Sequence, residues 1–514
     1  MIESKPFFYY QSQHIKRVLV VGLGVSGIAV VDYLKAYALE IDIFDQNLKN
    51  VSVIVDYQNF DEINLESYDL IVVAPGIPVN KAPFNQLYHH WHKVVGDIEL
   101  FALAIASGND EKNHKQKRQK VIAVTGSNGK STVVSLLFHV LKSLGMNTAL
   151  GGNIGTPALS LIDEKVDVYV LEISSFQIDL LKYAQFDVVA VLNLSPDHLD
   201  RYADYKAYCD AKLELFARGK YCVMNAKQKD LLNHRVDATF SYFNNEATYV
   251  DDDKAIFHHE VFCRQSELIL QGKHNLENIL AVLVVLEMMA SALVYSRQAC
   301  DFKNTTPVYD GHPSYKEGSQ VDSEVEVLLV ARGVPSMRGR VLGEGRSLEQ
   351  TIGLSDSEKA KIKSAIATFN PLAHRCRLVR TFKNILYIND SKATNIASTE
   401  AALFGLGNQE TKNIIILLGG LAKGADFSEL VPVLKTYVRK AVVYGQDRMS
   451  IYQAIANEVD CTLCQSFDEA FNAATTLACQ NDIVLLSPAC ASFDGFLSYA
   501  HRGEYFEELV NKLR

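Results

Sequence analysis

Short apolar runs alternate with helix-like stretches along most of this chain. Arg17-Val18-Leu19-Val20-Val21 ends in glycines, Ile41-Asp42-Ile43-Phe44-Asp45 follows it, and Leu70-Ile71-Val72-Val73-Ala74 is stopped by Pro75-Gly76. Apolar runs of this length, bounded by Gly and Pro and separated by helical segments, predict a parallel sheet with covering helices. The pattern turns polar and basic over 107–119, which reads as a linker. A new strand at 121–124 opens a second α/β region, with further runs at 168–171 and 188–192 and a long helix over 275–295. From 297 to 353 the periodicity fails. That stretch mixes Asn-Thr-Thr-Pro, Asp-Gly-His-Pro and Gly-Glu-Gly-Arg turns with one apolar island at 325–330, and reads as an inserted, mobile excursion. A helix is predicted over 355–369. Strands follow at 385–388, 414–418, 441–444 and 483–486.

Composition narrows the class. With 514 residues the chain is too long for one ordinary core, so two to four domains are expected. Hydrophobic residues at 48% and charged residues at 22% are the balance of a soluble globular protein. A formal net charge of −9 argues against a general nucleic-acid binder. Of nine scattered cysteines only Cys461 and Cys464 have CxxC spacing, which reads as reduced thiols rather than a zinc ribbon. The run at 279–295 is almost wholly apolar but short for a membrane span, and Glu287 interrupts its centre, so a buried helix is expected. The first thirteen residues carry no apolar signal core, and a cytoplasmic location is the expectation.

Candidate chemistry sits at the ends of the strands. Thr125-Gly126-Ser127-Asn128-Gly129-Lys130-Ser131-Thr132 follows a strand and opens a helix, the context of a phosphate-binding loop. In such a loop Lys130 neutralises β and γ phosphates and Ser131 ligates Mg²⁺. Val124 stands where the common pattern has its first glycine, and a plain turn is the alternative. Gly22-Leu23-Gly24-Val25-Ser26-Gly27, with Asp45 ending the next strand, satisfies the dinucleotide fingerprint; a nucleotide-sugar diphosphate would be served equally well. Glu172 and His198 lie just beyond apolar strands, where carboxyl ends converge on a ligand crevice, and together suit a divalent ion. Asn389-Asp390-Ser391-Lys392-Ala393-Thr394-Asn395, Gly419 to Phe427 and Ser487 to Asp494 place cations and hydroxyls where an anionic substrate would bind, or are solvated loops. Cys490 has no acid or histidine partner by spacing and reads as a packing residue.

In order along the chain, GSNGKST, Glu172-Ile-Ser-Ser-Phe-Gln, His198-Leu-Asp-Arg, His274-Asn275-Leu-Glu-Asn278, His374-Arg375 and Asn389-Asp-Ser-Lys resemble the Mur ligase family. GLGVSG, Gly96-Asp97-Ile98-Glu99-Leu100-Phe101, Gly151-Gly-Asn153-Ile-Gly and SPACASFD resemble its D-glutamate-adding branch. The resemblance implies three α/β domains: a Rossmann-like N-terminal unit over 1–106, a P-loop-type central ATPase over 120–372 holding the 297–353 insertion, and a Rossmann-like C-terminal unit over 373–514. It implies ATP-dependent ligation of D-glutamate to UDP-N-acetylmuramoyl-L-alanine through an acyl phosphate, with Mg²⁺. The partners implied are small molecules, with no nucleic acid and no membrane insertion, and the state a monomer.

By the same resemblance, Val25, Ser26, Asp45 and Gly76 surround uridine diphosphate, while Asn153 and His198 reach the muramoyl-alanine part. Gly126, Ser127, Asn128, Gly129, Lys130, Ser131 and Thr132 bind ATP phosphates, with Asn278, Arg375 and Asp390 near the nucleotide. Lys392, Thr394, Lys423, Ser492, Phe493 and Tyr499 form the D-glutamate pocket. Lys130, Glu172, His198 and Lys212 are the implied catalytic residues, and Ser131, Glu172, His198 and Lys212 the metal set. Lys212 matches the family lysine that carries a carbamate, although it stands fourteen positions after His198, one fewer than in close relatives. Rival readings are another amino-acid-adding member of the family, an oxidoreductase using the N-terminal fingerprint, or an inactive binding module.

Overall fold

The computed structural model describes residues 6–46, 53–108, 118–197, 201–232, 236–270, 272–303, 354–370, 372–422 and 424–514, of which 293–303 are described by their backbone alone. Three α/β units follow one another. After a small hairpin of β1 (Phe8–Tyr10) and β2 (Gln13–Ile15), the first unit builds β3 (Arg17–Val21), α1 (Val25–Leu34), β4 (Glu40–Phe44), β5 (Leu70–Val73), β6 (Val94–Val95) and α2 (Asp97–Gly108). Its sheet is parallel, in the order β4-β3-β5-β6. The chain therefore reverses direction across the sheet beside β3, the position where open sheets leave a crevice. Helix α2 continues through Gly108, past the start of the expected linker.

The central unit contains β7 (Lys120–Thr125), α3 (Lys130–Ser143), β8 (Thr148–Gly152), β9 (Val168–Glu172), the one-turn α4 (Ser175–Ile178), β10 (Phe186–Val191) and α5 (Tyr205–Leu213). It continues through β11 (Gly219–Asn225), β12 (Thr239–Phe243), an antiparallel three-stranded sheet of β13 (Tyr249–Asp251), β14 (Lys254–Phe257) and β15 (Glu260–Arg264), and α6 (Lys273–Lys303). The main sheet is parallel with order β12-β11-β10-β7-β9-β8. Its strands read as apolar runs because both faces are covered. Val121, Ala123, Tyr169, Leu171 and Val189 join one core, while Ile122, Val124, Val168, Val170 and Val188 join the other with α3 and α6.

Helix α6 settles the membrane question on packing. By length and composition 273–292 would pass for a span, yet 83% of its apolar window is buried in the protein. Ile279, Leu280, Ala281, Val282 and Leu283 are all fully buried. Each large side chain among them contributes about 1.5–3 kcal/mol when removed from water, so this helix is the core of the unit. It runs eight residues beyond the expected end at 295, so the segment read as an insertion from 297 opens in helix. The remainder of that insertion, 304–353, lies outside the described residues.

After the helix Asp356–Thr368, the third unit pairs β16 (Arg377–Phe382) antiparallel with β17 (Ile385–Asn389). Then come β18 (Ile414–Gly419), β19 (Val438–Tyr444), β20 (Cys461–Leu463) and β21 (Ile483–Leu486), in the sheet order β16-β17-β21-β18-β19-β20, parallel apart from β16. The loops after β17, β18 and β21 thus leave adjacent strands at one edge of the sheet, and the last helix, Tyr499–Asn511, packs against β16 and β17.

Candidate active site

The N-terminal cleft forms where β3 gives way to α1. Gly22 has a φ of +94°, and a Cβ on Gly27 would stand 1.9 Å from the Gly22 carbonyl oxygen, so only glycine lets α1 start this close to the strand. The Asp45 carboxylate accepts a hydrogen bond from the Leu23 N–H at 2.6 Å and fixes the loop. Val25, Ser26, Asp45 and Gly76 come together here, joined by Asn153 from the central unit, in one cleft. Val25, at the N-terminus of α1, is 70% exposed.

The phosphate loop follows β7. Gly126 (φ +148°) and Gly129 (φ +81°) occupy backbone conformations that favour glycine, and Gly129 caps the N-terminus of α3. Across the loop, a Cβ on Gly129 would meet the Asn278 Oδ1 at 2.5 Å, so the start of α6 and the loop fit only without that carbon. Asn278 is itself held by Asn275, whose Oδ1 accepts from its Nδ2 at 3.0 Å. Lys130 donates to the Gly126 and Ser127 carbonyls at 2.7 and 2.8 Å. Its withdrawal from solvent pulls the ammonium below the usual lysine range, against the opposing charges of Glu172 and Asp197.

Glu172, the last residue of β9, is buried beside the loop. The Ser131 hydroxyl donates to its Oε2 at 2.6 Å and the Asn153 amide to its Oε1 at 2.8 Å. Burial resists ionisation, but Lys130 and these two hydrogen bonds outweigh it and hold the carboxyl below its ordinary range. Arg375, from the third unit, donates to the Ser131 hydroxyl at 2.9 Å. Asn153, Glu172, Ser131 and Arg375 therefore form one polar chain from the N-terminal cleft, which Asn153 lines, through the central unit to the third.

The second cleft lies between the central and third units. Asn128, Gly129, Thr132, Asn278, Arg375 and Asp390 line it, as does Lys392. Two further contacts close it: Ser398 donates to the Asn128 Oδ1 at 2.5 Å, and Asn395 to the Asp197 Oδ2 at 3.1 Å. Asp390 accepts from Ser487 at 2.8 Å and from the Cys376 N–H at 3.2 Å, and burial pushes its carboxyl up to about 7. His274 also lines this cleft, and burial with the Arg375 charge brings its ring down to about 4, so it is neutral there.

Lys212 is only 2% exposed, with its amine 3.4 Å from the Thr125 hydroxyl and above the Tyr208 ring. Burial and then Lys130 push its ammonium well below the usual lysine range, against Asp197 and Glu172. An exposed helical lysine, the alternative reading of this position, is not what the structure has. In the third unit Lys392 lies over the Tyr499 ring at 3.8 Å, Ser492 is buried, and Phe493 is 72% exposed. Thr394 is half-buried just before the helix Ile396–Leu406. His198 and Lys423 lie outside the described residues. Cys490 is fully buried in the core of this unit.

Sequence reasoning missed Asn193, whose amide and carbonyl both bond the Asn128 backbone, and Ser398, Asn395 and Arg502. Asn193 and Asn395 stand outside regular elements, and Ser398 and Arg502 are single polar positions in helices, so none gives a periodic signal and only their partners reveal them. Among the described residues no three His, Cys, Asp or Glu side chains cluster to hold a metal. The oxygen pair of Ser131 and Glu172 still suits Mg²⁺, which takes one or two carboxylates and completes its shell with substrate phosphates and water.

Fold and site define a three-domain α/β protein whose glycine-rich strand–loop–helix turn lines a cleft between the central and third units, beside a second cleft at the N-terminal unit. Models of the MurD-like N-terminal domain, the Mur ligase middle domain and the Mur ligase glutamate ligase domain match residues 16–96, 124–286 and 374–490. A UDP-N-acetylmuramoylalanine--D-glutamate ligase of Francisella tularensis subsp. novicida is 36% identical over 512 residues, covering 98% of both chains. The protein of that name from Francisella philomiragia is 36% identical over 515 residues, covering 99% of both. This chain belongs to the Mur ligase family, whose members are ATP-dependent ligases forming C–N bonds. The fold extends to more distant structures. The MurC ligase of Thermotoga maritima superposes with a TM-score of 0.51 at 14% identity, covering 97% of this chain and 99% of that one. The MurF ligase of the same organism, in complex with ADP, gives 0.51 at 15% identity, covering 99% and 98%.

Proposed function

We propose that this enzyme ligates D-glutamate to UDP-N-acetylmuramoyl-L-alanine, consuming ATP, in the cytoplasmic synthesis of peptidoglycan precursors. The observation that carries the reading is the polar chain Asn153–Glu172–Ser131–Arg375, which ties the N-terminal cleft, the phosphate loop and the third unit to one point. A reaction that joins three substrates needs such a meeting place. The names of the relatives at 36% identity support the same substrates.

In this reading residues 1–106 hold the uridine diphosphate, with the diphosphate at the N-terminus of α1, and the lactoyl-alanine arm extends past Asn153 towards Glu172. The 120–372 unit holds ATP, its phosphates on the loop from Gly126 to Thr132, and the 373–514 unit holds D-glutamate near Lys392, Thr394, Lys423, Ser492, Phe493 and Tyr499. The alanine carboxylate attacks the γ-phosphorus and ADP leaves. The amino nitrogen of D-glutamate then attacks the acyl carbon, phosphate departs with the C–O electron pair, and the amide is left as the amine gives up a proton. Lys130 and Arg375 supply fixed positive charge where phosphoryl charge builds up. Mg²⁺, when bound, screens the repulsion between carboxylate and phosphate. Ser131 and Glu172 would hold it, and His198 with Lys212 are proposed for a second ion. A Lys212 amine whose ammonium form burial disfavours can take up CO₂ and give up a proton to become a carbamate, which would offer a divalent ion an anion in place of a repelling cation.

The test is a panel of D- and L-amino acids offered with ATP and UDP-N-acetylmuramoyl-L-alanine, with the product weighed by mass spectrometry. D-glutamate alone should give a product heavier by one glutamyl residue, with matching ADP. A product with another amino acid and none with D-glutamate would assign the chain to a different branch of the family.

A further inference from the structure

Arg502 is a large side chain buried to 0% exposure. Its Nε donates to the Ser391 hydroxyl at 3.0 Å and its Nη2 to the Ser391 carbonyl at 2.9 Å and the Cys490 carbonyl at 3.0 Å. Its Nη1 reaches the Gly419 carbonyl at 3.4 Å. Ser391 and Cys490 lie on the loops that follow β17 and β21, Gly419 is the last residue of β18, and all of these acceptors are neutral oxygens. Burying a guanidinium without a carboxylate costs several kcal/mol before its hydrogen bonds offset it, so the arrangement is not one that stability alone would favour.

What the three loops share is the anionic-substrate face. Lys392 and Thr394 directly follow Ser391, Ser492 and Phe493 follow Cys490, and the Gly419 loop leads to residue 423. The loops are also stitched to one another: Leu421 and Ala491 exchange backbone hydrogen bonds at 2.9 and 3.0 Å, and a Cβ on Gly420 would meet the Ala491 carbonyl at 2.2 Å. The helix that presents Arg502 is pressed close, since a Cβ on Gly503 would stand 2.3 Å from the His374 ring.

We propose that Arg502 is the positioning residue of the amino-acid site: its planar fork holds three strand-end loops in one register, so that the cations and hydroxyls they carry converge on the two carboxylates of the acceptor amino acid. This rests on the reading of the third unit as the D-glutamate site. A misplacement of about 1 Å costs up to about a hundredfold in a well-aligned site. Lysine keeps the charge but, as a point donor on a flexible stem, cannot span three loops.

Arg502→Lys tests this on purified protein whose folded fraction is checked by thermal melting. The Michaelis constant for D-glutamate should rise about tenfold or more, while those for ATP and the nucleotide sugar stay within about twofold. A purely structural role would lower the number of active molecules, and hence the apparent kcat, and leave every Michaelis constant alone. Ser391→Ala, which removes the Nε acceptor, should shift the same constant in the same direction and decides the matter if the lysine variant does not fold. A folded Arg502→Lys enzyme with a D-glutamate constant within about twofold of the wild type, or, failing that variant, an unshifted Ser391→Ala, overturns the proposal. Wild-type enzyme that does not use D-glutamate in the same assay instead overturns the substrate reading, and the positioning role falls with it.

Discussion

Two buried side chains carry the residue-scale account. Lys212 sits at 2% exposure with its ammonium disfavoured by burial and by Lys130. Lys212→Ala should be nearly inactive, and a short-chain carboxylate added in bulk should restore part of the turnover by occupying the place of the carbamate; unchanged activity without any additive would refute the role. Asp390 makes a prediction about pH. Burial raises its carboxyl from 3.8 to about 7, so between those values the unfolded chain has lost a proton that the folded chain keeps. Stability contributed by the protonated group is complete below the lower value, falls as pH rises through the window, and levels off above the upper one. Asp390→Asn removes that dependence. Measured without nucleotide, the melting temperature of the variant relative to wild type should climb between about pH 4 and about pH 7 and level off above that. A difference that stays flat across the range would show that Asp390 ionises normally.

At the scale of elements, the phosphate loop works because α3 and α6 meet over Gly129. Its φ of +81° and the 2.5 Å approach of Asn278 make Gly129→Ala doubly unfavourable. The variant should lose about tenfold or more in kcat/KM for ATP, roughly 1.4 kcal/mol, with a smaller effect on the Michaelis constant for the nucleotide sugar. Equal losses for both substrates would point to general unfolding. The elements that sequence made legible are those with buried faces. β3, β5, β7, β9, β10, β17, β18 and β21 are continuous apolar runs because helices or neighbouring strands cover both sides. β11 was missed although it is mostly buried, and other missed strands carry weaker patterns. β12 is mostly half-buried, β16 is an exposed edge rich in arginine, and β8 is shortened by its glycines. The site divided in the same way. Residues with a motif around them, such as Lys130 and Glu172, stood out by strand–loop–helix context, whereas Arg502 and Ser398 are defined by partners as far as 111 and 270 positions away.

For the whole molecule, the catalytic point is an interdomain property. Arg375 on Ser131, Ser398 on Asn128 and Asn395 on Asp197 all cross from the third unit to the central one. The 304–353 segment enters after α6 and returns at the helix Asp356–Thr368, away from these contacts in sequence. Loop closure depends only logarithmically on length, so replacing 304–353 by a short Gly/Ser linker should leave ATP and D-glutamate kinetics within about threefold, roughly 0.7 kcal/mol. A variant that folds but loses most of its turnover would give the segment a part in catalysis. The central claim is that one site couples three substrates, and the most direct test is phosphate release measured with ATP, UDP-N-acetylmuramoyl-L-alanine and D-glutamate together and with each withheld in turn. The account predicts sustained release only when all three are present, with one amide formed per phosphate. Sustained release that continues at the full rate without D-glutamate, or without the nucleotide sugar, would contradict it.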